Sequence, residues 1–198
     1  MSIAIVKYNA GNVFSVQCAL QRIGVEAVIT DDAEALRCAD KVVFPGVGEA
    51  STAMNYLREH RLDEVIKSLT QPVLGICIGL QLLCRSSEEG GAQCMGIFDA
   101  DIRRFDNAAC PELKIPHMGW NTIDVTRDNG LITEAQREAW VYYVHSYYAP
   151  VCRDTIATTH YITPFSAALH RDNFYATQFH PEKSGDVGET ILKQFIEL

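Results

Sequence analysis

The chain has 198 residues, of which 47% are hydrophobic and 21% are charged, values that are ordinary for a globular protein with one well-buried core. Its formal net charge of −8 argues against nucleic acid or an anionic membrane surface as a partner, because both select basic patches. No apolar run approaches the roughly 20 residues that span a bilayer, and the first residues lack the pattern of an export signal. We therefore expect one cytoplasmic domain over residues 1–198, with small molecules or proteins as partners.

Cysteine and histidine spacing gives no sign of a disulfide framework or a metal site. The number of cysteines is odd and no two are spaced as C-x-x-C, which favours reduced thiols. No histidines have the close spacing of a ligand pair, and the chain has no nucleotide-binding glycine loop. We expect neither a metal nor an organic cofactor. The seven cysteines are Cys18, Cys38, Cys77, Cys84, Cys94, Cys110 and Cys152.

The first half of the chain alternates predicted strands with predicted helices. Buried strands are expected in the segments SIAIVKY, VEAVIT, KVVF and PVLGI. Helical spacing of apolar residues predicts helices in GNVFSVQCALQRIG, AEALRCA, GEASTAMNYLREHRLDEVIKSL (one or two helices) and IGLQLLCRS, with Gly24 ending the first. This alternation predicts an α/β fold with a doubly wound, mostly parallel sheet and helices on both faces.

The second half is rich in β-branched and aromatic residues separated by turn signals. We expect strands in GIFDADIRRFD, NTIDVTR, WVYYVHSYYAP, TIATTHY and AALHRDNFYATQFHPE, the last folded into a hairpin at RDN. A closing helix is expected in GETILKQFIEL, where Ile191 and Phe195 lie four residues apart on one face. Because no linker or repeat separates the halves, the β-rich half is expected to extend the same domain.

Cys77 stands between Gly75 and Gly79, after a predicted buried strand and before a predicted helix. The pattern G-x-C-x-G is the thiol counterpart of the G-x-S-x-G nucleophile elbow, in which glycines allow a sharp strand-to-helix turn. The first amides of the helix would favour a thiolate, the nucleophilic form of cysteine. The alternative is a buried cysteine that packs as a small hydrophobic residue.

A proton carrier for this thiol is suggested by the segment QFHPEKS. His180 and Glu182 are two residues apart, so in an extended segment both side chains would point to the same side. A carboxylate in that position can orient an imidazole that exchanges protons with a nucleophile and a leaving group. The alternative is a turn at a strand end in which His180 only satisfies hydrogen bonds of the core.

Taken together, these segments resemble the class I, triad-type glutamine amidotransferases. The resemblance rests on GICIGLQ at 75–81, FPGVG at 44–48 and FHPEKS at 179–184. It implies a triad of Cys77, His180 and Glu182 that hydrolyses glutamine to glutamate and ammonia. A general thiol hydrolase, or a regulator that kept the fold without the activity, fits these segments less well.

An oxyanion hole is expected from the backbone N–H of Ile78 and from the glycine-rich turn that contains Val47 and Gly48. Because that peptide could reorient, we predict a hole that is complete only when a partner and its ligand are bound. The resemblance further implies a glutamine site formed by Gly46, Gln81, His145, Ser146 and Tyr147. The alternatives are that Gln81 lies on a helix surface and that the tyrosines of YYVHSYY belong to the core.

Four segments resemble one branch of the family in particular: GNVFSV at 11–16, PHMGWN at 116–121, YYVHSYY at 142–148 and HPEKS. In that branch a (β/α)₈-barrel cyclase subunit of histidine biosynthesis receives the ammonia. A glutaminase that serves another synthase, such as the pyridoxal phosphate or anthranilate system, is the runner-up. The alternative for Trp120 is a place in the core, and the alternative for Lys183 is a solvated position on the surface. The residues expected to face the cyclase are Asn12, Pro116, Met118, Trp120, Asn121 and Lys183.

Overall fold

The computed structural model describes residues 1–198, in fourteen strands and six α-helices. The strands are β1 Ile3–Val6, β2 Ala27–Thr30, β3 Lys41–Phe44, β4 Val73–Ile76, β5 Ser86–Ser87, β6 Ala92–Gln93, β7 Asp101–Arg104, β8 His117–Thr122, β9 Asp124–Val125, β10 Trp140–His145, β11 Tyr147–Tyr148, β12 Thr155–His160, β13 Pro164–Arg171 and β14 Phe174–Thr177. The helices are α1 Val13–Arg22, α2 Ala33–Cys38, α3 Ala50–Glu59, α4 Leu62–Lys67, α5 Ile78–Leu83 and α6 Gly185–Glu197. Short 3₁₀ turns cover Glu89–Gly91, Glu134–Gln136 and Pro181–Lys183.

The main sheet has the strand order β2-β1-β3-β4-β14-β13-β12-β9. Pairing is parallel from β2 through to β14 and antiparallel from β14 to β9. The prediction of a doubly wound, mostly parallel sheet is confirmed, and the β-rich half continues the sheet because β14 pairs with β4. Two smaller sheets, β8 with β10 and the group β11-β7-β5-β6, complete the fold.

Both faces of the sheet are buried at the strands β1, β3 and β4, as their continuous apolar runs predicted. In β1, Ala4 and Val6 pack into one hydrophobic cluster, whereas Ile3 and Ile5 pack into the other. Successive side chains of a strand point to opposite faces, so the central strands β1, β3 and β4 contribute to both clusters. The closing helix α6 buries Ile191 and Phe195 in the second cluster, on the face that their spacing predicted.

Local signals set the ends of the helices. Gly24 has φ +81° and follows α1, in the position predicted for its stop. The helical stretch predicted around 48–69 forms two helices, because Arg61 adopts φ +56° between α3 and α4. The Glu49 carboxylate caps α3 through the amides of Ser51 and Thr52, and hydrogen bonds from the Thr52 and Ser51 hydroxyls lower the pKa of Glu49 to about 2.

No helix combines the length and the apolar character needed to cross a bilayer. All seven cysteines are unpaired. The expected single domain over residues 1–198 stays a prediction.

Candidate active site

Cys77 occupies the sharp corner between β4 and α5. Its backbone has φ +55° and ψ −106°, a conformation that costs a non-glycine residue about 1–3 kcal/mol. The cost is offset by the surrounding sheet, since the Cys77 amide donates to the Thr177 carbonyl at 2.8 Å. The corner has the geometry that the G-x-C-x-G pattern predicted for a nucleophile elbow.

The two flanking glycines are needed because other chain segments pass close to their α-carbons. A β-carbon on Gly79 would collide with the backbone carbonyl of Phe44, and one on Gly75 would lie 2.8 Å from Leu83 Cδ1. The helix α5 is three residues shorter than the predicted segment IGLQLLCRS. It ends because Cys84 is extended and Ser86 pairs in the small sheet.

His180 and Glu182 meet through a turn, and the prediction of an extended segment was wrong. A 3₁₀ turn covers Pro181–Lys183, with the Lys183 amide donating to the His180 carbonyl at 3.0 Å. Proline favours the first position of a helical turn, because its φ is already close to the helical value. The turn still brings His180 Nδ1 to 2.7 Å from Glu182 Oε1, and both side chains are buried.

The electrostatic surroundings of His180 favour its protonated form. Burial acts to lower the pKa of His180, but the charge of Cys77 and the hydrogen bond to Glu182 act against it and raise the pKa to about 10. Asn12 Nδ2 donates to the same Glu182 oxygen at 2.6 Å. His180 Nε2 is buried without a hydrogen-bond partner. The charged Cys77 and the Glu182 carboxylate therefore favour the protonated imidazole, which is the form that can give up a proton.

A cavity of about 280 Å³ opens beside Cys77. It collects most of the residues that the sequence assigned to the oxyanion hole and the substrate site. Gly46 is the exception, because it does not line the cavity, and a β-carbon on it would collide with the Tyr8 hydroxyl. The cavity is lined by Val47, Gly48, Cys77, Ile78, Gln81, Glu89, Pro116, Val144, His145, Ser146 and Tyr147.

The glycine-rich turn is tied to the loop before α1. The Val47 carbonyl accepts a hydrogen bond from the Gly11 amide at 3.3 Å. In a trans peptide the next N–H points opposite to that carbonyl, so the Gly48 amide points away from Gly11. Gly48 has φ +144°, which few residues other than glycine adopt. Ile78 is the first residue of α5, and its N–H has no acceptor within the helix.

Two buried histidines support the wall opposite Cys77. His145 Nδ1 donates to the Tyr147 carbonyl at 2.7 Å, so its Nε2 accepts from His117 Nδ1 at 3.1 Å. Burial lowers the pKa of His117 to about 4 and that of His145 to about 3. Both rings are therefore neutral at pH 7, as this sequence of hydrogen bonds requires. The backbone of 145–147 is held in place at the cavity.

The residues expected to face a partner divide into two groups. Met118 and Trp120 lie on the outer face of the ribbon formed by β8 and β10, where they are 62% and 51% exposed. Trp120 is thus on the surface, and Lys183 is exposed in its turn. The other three have contacts of their own. Asn12 binds Glu182, Asn121 donates to the His160 carbonyl at 3.0 Å, and Pro116 lies at the cavity wall.

Three residues at the site had no role predicted from the sequence. Glu89 reaches the cavity from the turn Glu89–Gly91 and accepts from the Ala50 amide at 2.9 Å. Its segment, SSEEGG, has the composition of any polar loop and gave no signal. Val144 lines the cavity from β10. Gln178 Nε2 lies 3.8 Å from Cys77 Sγ. Gln178 alternates in the sequence with His180 and Glu182, and this spacing could have identified it as a site residue.

This fold and site match a known family. The family model described as glutamine amidotransferase class-I matches residues 4–198. The chain therefore belongs to the class I glutamine amidotransferases, a family of enzymes. The imidazole glycerol phosphate synthase subunit HisH of Bacteroides fragilis strain YCH46 is 61% identical over 198 residues, with all of both chains covered. The protein of the same name from Escherichia coli K12 is 44% identical over 199 residues, again with all of both chains covered.

Solved structures share the fold at much lower identity. A putative GMP synthase subunit from Thermoplasma acidophilum has a TM-score of 0.73 at 22% identity, covering 100% of this chain and 93% of that one. PurLQS from Thermotoga maritima has a TM-score of 0.73 at 16% identity, covering 99% and 97%. These likenesses support the α/β fold alone.

Proposed function

We propose that this chain is the glutaminase subunit of imidazole glycerol phosphate synthase. The proposal rests above all on the relatives of that name, which match the chain over its whole length at 43–61% identity. The site supports it with a strained cysteine, a buried histidine–carboxylate pair and a cavity of the size of an amino acid. The reaction is the hydrolysis of glutamine to glutamate and ammonia.

In the first step the Cys77 thiolate attacks the side-chain carboxamide carbon of glutamine. A tetrahedral intermediate forms, and its oxygen requires hydrogen-bond donors placed in advance. We assign these donors to the Ile78 amide and to the turn at Val47 and Gly48. Loss of one such donor typically costs about 3 kcal/mol of transition-state stabilisation.

His180 then gives its proton to the departing ammonia, and a γ-glutamyl thioester is left on Cys77. A water molecule that gives a proton to His180 hydrolyses the thioester, so that glutamate leaves and the ion pair is restored. Glu182 holds the imidazole through Nδ1, and Asn12 holds Glu182 in turn. Asn12 thus acts within the site as well as near its edge.

The head group of glutamine is proposed to bind along the cavity wall formed by Gln81 and the backbone of 145–147, with Gly46 shaping the turn behind it. Gln81 uses its amide nitrogen for the Tyr147 carbonyl at 3.1 Å, so its oxygen is the group that can accept from the substrate ammonium. Glu89 supplies a carboxylate at the same cavity. A cationic ammonium and a carboxylate are complementary partners in a partly buried site.

The ammonia is proposed to pass to a (β/α)₈-barrel cyclase subunit, in a heterodimer located in the cytoplasm. Free ammonia is mostly protonated at neutral pH, so direct transfer preserves the nucleophile. The cyclase would use it to form imidazole glycerol phosphate and an aminoimidazole carboxamide ribotide. Met118, Trp120 and Lys183 are exposed as this contact requires, and a tryptophan is a common anchor of interfaces.

Activation by the partner is expected to act on the glycine-rich turn. In the isolated chain the Val47 carbonyl accepts from the Gly11 amide, and this one hydrogen bond sets the resting orientation of the peptide. We predict that binding of the cyclase and its ligand completes the oxyanion hole by turning this peptide. Glutamine turnover by the isolated chain that equals turnover in the liganded complex would rule this out.

The test of the proposed function is glutamate release by the purified chain, alone and with the cyclase plus its ribulosyl ligand. We expect turnover that rises sharply in the liganded complex and disappears in the Cys77→Ala variant. No release with this cyclase, from a folded chain whose Cys77 is reactive, would instead favour a different synthase. Purification of the chain from its own cells, together with the synthase bound to it, would then identify that synthase.

A further inference from the structure

Gln178 is a fully buried polar residue to which the mechanism above gives no role. It follows β14 and precedes the segment of His180 and Glu182. Its backbone amide donates to the Ala167 carbonyl at 2.8 Å, which fixes the main chain. Its side chain points toward the nucleophile, because Gln178 Nε2 lies 3.8 Å from Cys77 Sγ. A buried amide in contact with a reacting atom calls for a chemical explanation.

The orientation of this amide follows from its neighbours. The Tyr147 carbonyl can only accept, so the Gln81 atom 3.1 Å from it must be Nε2. The same nitrogen lies 3.2 Å from Gln178, so the Gln178 atom that faces it must be Oε1. The remaining group of the Gln178 amide, its NH₂, therefore faces the sulfur. The hydrogen-bond network therefore determines which end of the Gln178 amide faces Cys77 Sγ. It is the nitrogen and not the oxygen.

The network is held at its far end as well. His145 Nδ1 also donates to the Tyr147 carbonyl, at 2.7 Å, so that this oxygen receives two hydrogen bonds. Gln81 uses both of its amide hydrogens, one on Tyr147 and one on Gln178. A rotated Gln178 amide would set two NH₂ groups against each other. The network therefore keeps the NH₂ group of Gln178 facing Cys77 Sγ.

We propose that Gln178 is a further catalytic residue, whose side-chain NH₂ binds the Cys77 sulfur as a thiolate and holds it toward the glutamine cavity. The inference rests on the proposed role of Cys77 as the nucleophile. A hydrogen bond to an anion in a buried site is stronger than one to a neutral thiol, so it favours the charged form. When the thioester forms, the sulfur loses its charge and the bond weakens. When the thioester is hydrolysed, the bond strengthens again and stabilises the leaving thiolate.

Other groups near the sulfur are kept constant in the test. The titratable groups whose pKa responds to the charge of Cys77 are His180 and Tyr8. Neither is changed in the variants below. Gln136 offers a matched control, because it is also a buried glutamine, but its Oε1 accepts from Thr133, the residue that caps the turn Glu134–Gln136.

The experiment measures the rate at which iodoacetamide alkylates Cys77 in the isolated chain as a function of pH. Mass spectrometry of peptides identifies the alkylated residue. Gln178→Met removes the donor and keeps the side-chain length. We expect the pH midpoint of alkylation to rise by about one unit, with about tenfold slower alkylation below the midpoint. Gln136→Met should leave the midpoint unchanged. A folded Gln178→Met variant with the wild-type midpoint would overturn the proposal.

A second measurement needs no variant of Gln178 to fold. The side-chain NH₂ signals of Gln178 in the NMR spectrum should shift with pH at the same midpoint as Cys77 alkylation, and the shift should disappear in Cys77→Ala. Signals that do not respond to the state of Cys77 would contradict the contact. Neither measurement uses glutamine or the cyclase. A failed glutaminase assay with a titrating amide would therefore reject the proposed function and leave the sulfur contact standing.

Discussion

The two walls of the cavity are built in different ways. The wall that carries Cys77 is fixed by backbone contacts, since the Phe44 carbonyl packs against the α-carbon of Gly79. The opposite wall, the β8–β10 ribbon, is fixed by side chains. His117 stacks on Tyr161 with ring centroids 4.0 Å apart and on Tyr143 at 4.8 Å. One wall leaves no room for an added atom, whereas the other depends on neutral rings and their hydrogen bonds.

The outer face of the ribbon adds to the contrast. Paired residues of an antiparallel ribbon share a face, so Trp120 and Tyr142 point outward together while Tyr143 and His145 point into the core. The Cys77 wall has no comparable exposed face, because β4 and α5 are buried throughout. One wall therefore carries the buried cysteine, and the other carries the exposed aromatic face.

The largest expected effect comes from removing the sulfur from the Cys77 wall. Cys77→Ala should lower glutamine turnover in the liganded complex by about 10⁴-fold or more, because no other group can form the thioester. The free energy of unfolding should change little. Cys84→Ala is the control, since this second buried cysteine does not line the cavity. Comparable losses in both variants would mean that turnover depends on packing and not on the thiol.

The backbone contact of the same wall is tested by Gly79→Ala. The new methyl group would collide with the Phe44 carbonyl, so we expect a loss of about 3 kcal/mol in the free energy of unfolding and little turnover. Gly24→Ala separates collision from backbone strain, because Gly24 has φ +81° and no atom near a β-carbon. It should cost about 1 kcal/mol. Equal losses in urea unfolding would show that Gly79 is not closely packed.

The ribbon wall should weaken in acid. His117 and His145 have folded pKa values of about 4 and about 3, below the usual 6.5, so the unfolded chain binds more protons at pH 5. Their contribution to stability is present above pH 6.5 and is lost as the pH falls toward the folded values. We expect a decrease of roughly 3 kcal/mol between pH 7 and pH 5 in urea unfolding.

The variant His117→Gln checks the source of this loss, because it removes one of the two titrations and should reduce the decrease. The triad histidine cannot produce the same effect. The pKa of His180 is raised to about 10, so its contribution is fully present below pH 6.5 and is lost only as the pH rises. An identical decrease in the variant would assign the acid sensitivity to other groups.

The outer face of the ribbon should give the smallest effect. Trp120→Ala should weaken binding of the cyclase by about 2 kcal/mol, which corresponds to about thirtyfold in Kd. Alkylation of Cys77 in the isolated chain should stay as in the wild type. Val28→Ala changes a similarly exposed apolar residue on β2, at the far edge of the sheet, and should not alter Kd. An unchanged Kd for Trp120→Ala would remove the ribbon from the interface.

What the sequence predicted well is local. The elbow at Cys77 follows from two glycines at fixed spacing, and the alternation of strands and helices follows from apolar periodicity. The break at Arg61 was not visible, because a positive φ at an arginine has no sequence signal. The turn after His180 was missed although Pro181 was noticed, since proline suits both extended chain and the start of a helical turn.

Long-range contacts account for the rest. Glu89 reaches the cavity because the turn Glu89–Gly91 packs beside α3, with Gly90 held close to Glu49 and Ser51. Asn12 was assigned to a partner surface, but folding places its amide on Glu182, 170 residues away. Such pairs depend on strand order, which periodicity alone does not give.

The most direct test of the central claim is to identify the residue that reacts with a glutamine analogue. The chain, in complex with the cyclase and its ligand, would be treated with a labelled analogue that carries an electrophilic diazoketone in place of the carboxamide. We predict a single adduct on Cys77, reduced by competing glutamine and absent in Cys77→Ala. An adduct on another cysteine, such as the exposed Cys18 or Cys38, or no adduct on a folded complex, would contradict the assignment of Cys77 as the glutaminase nucleophile.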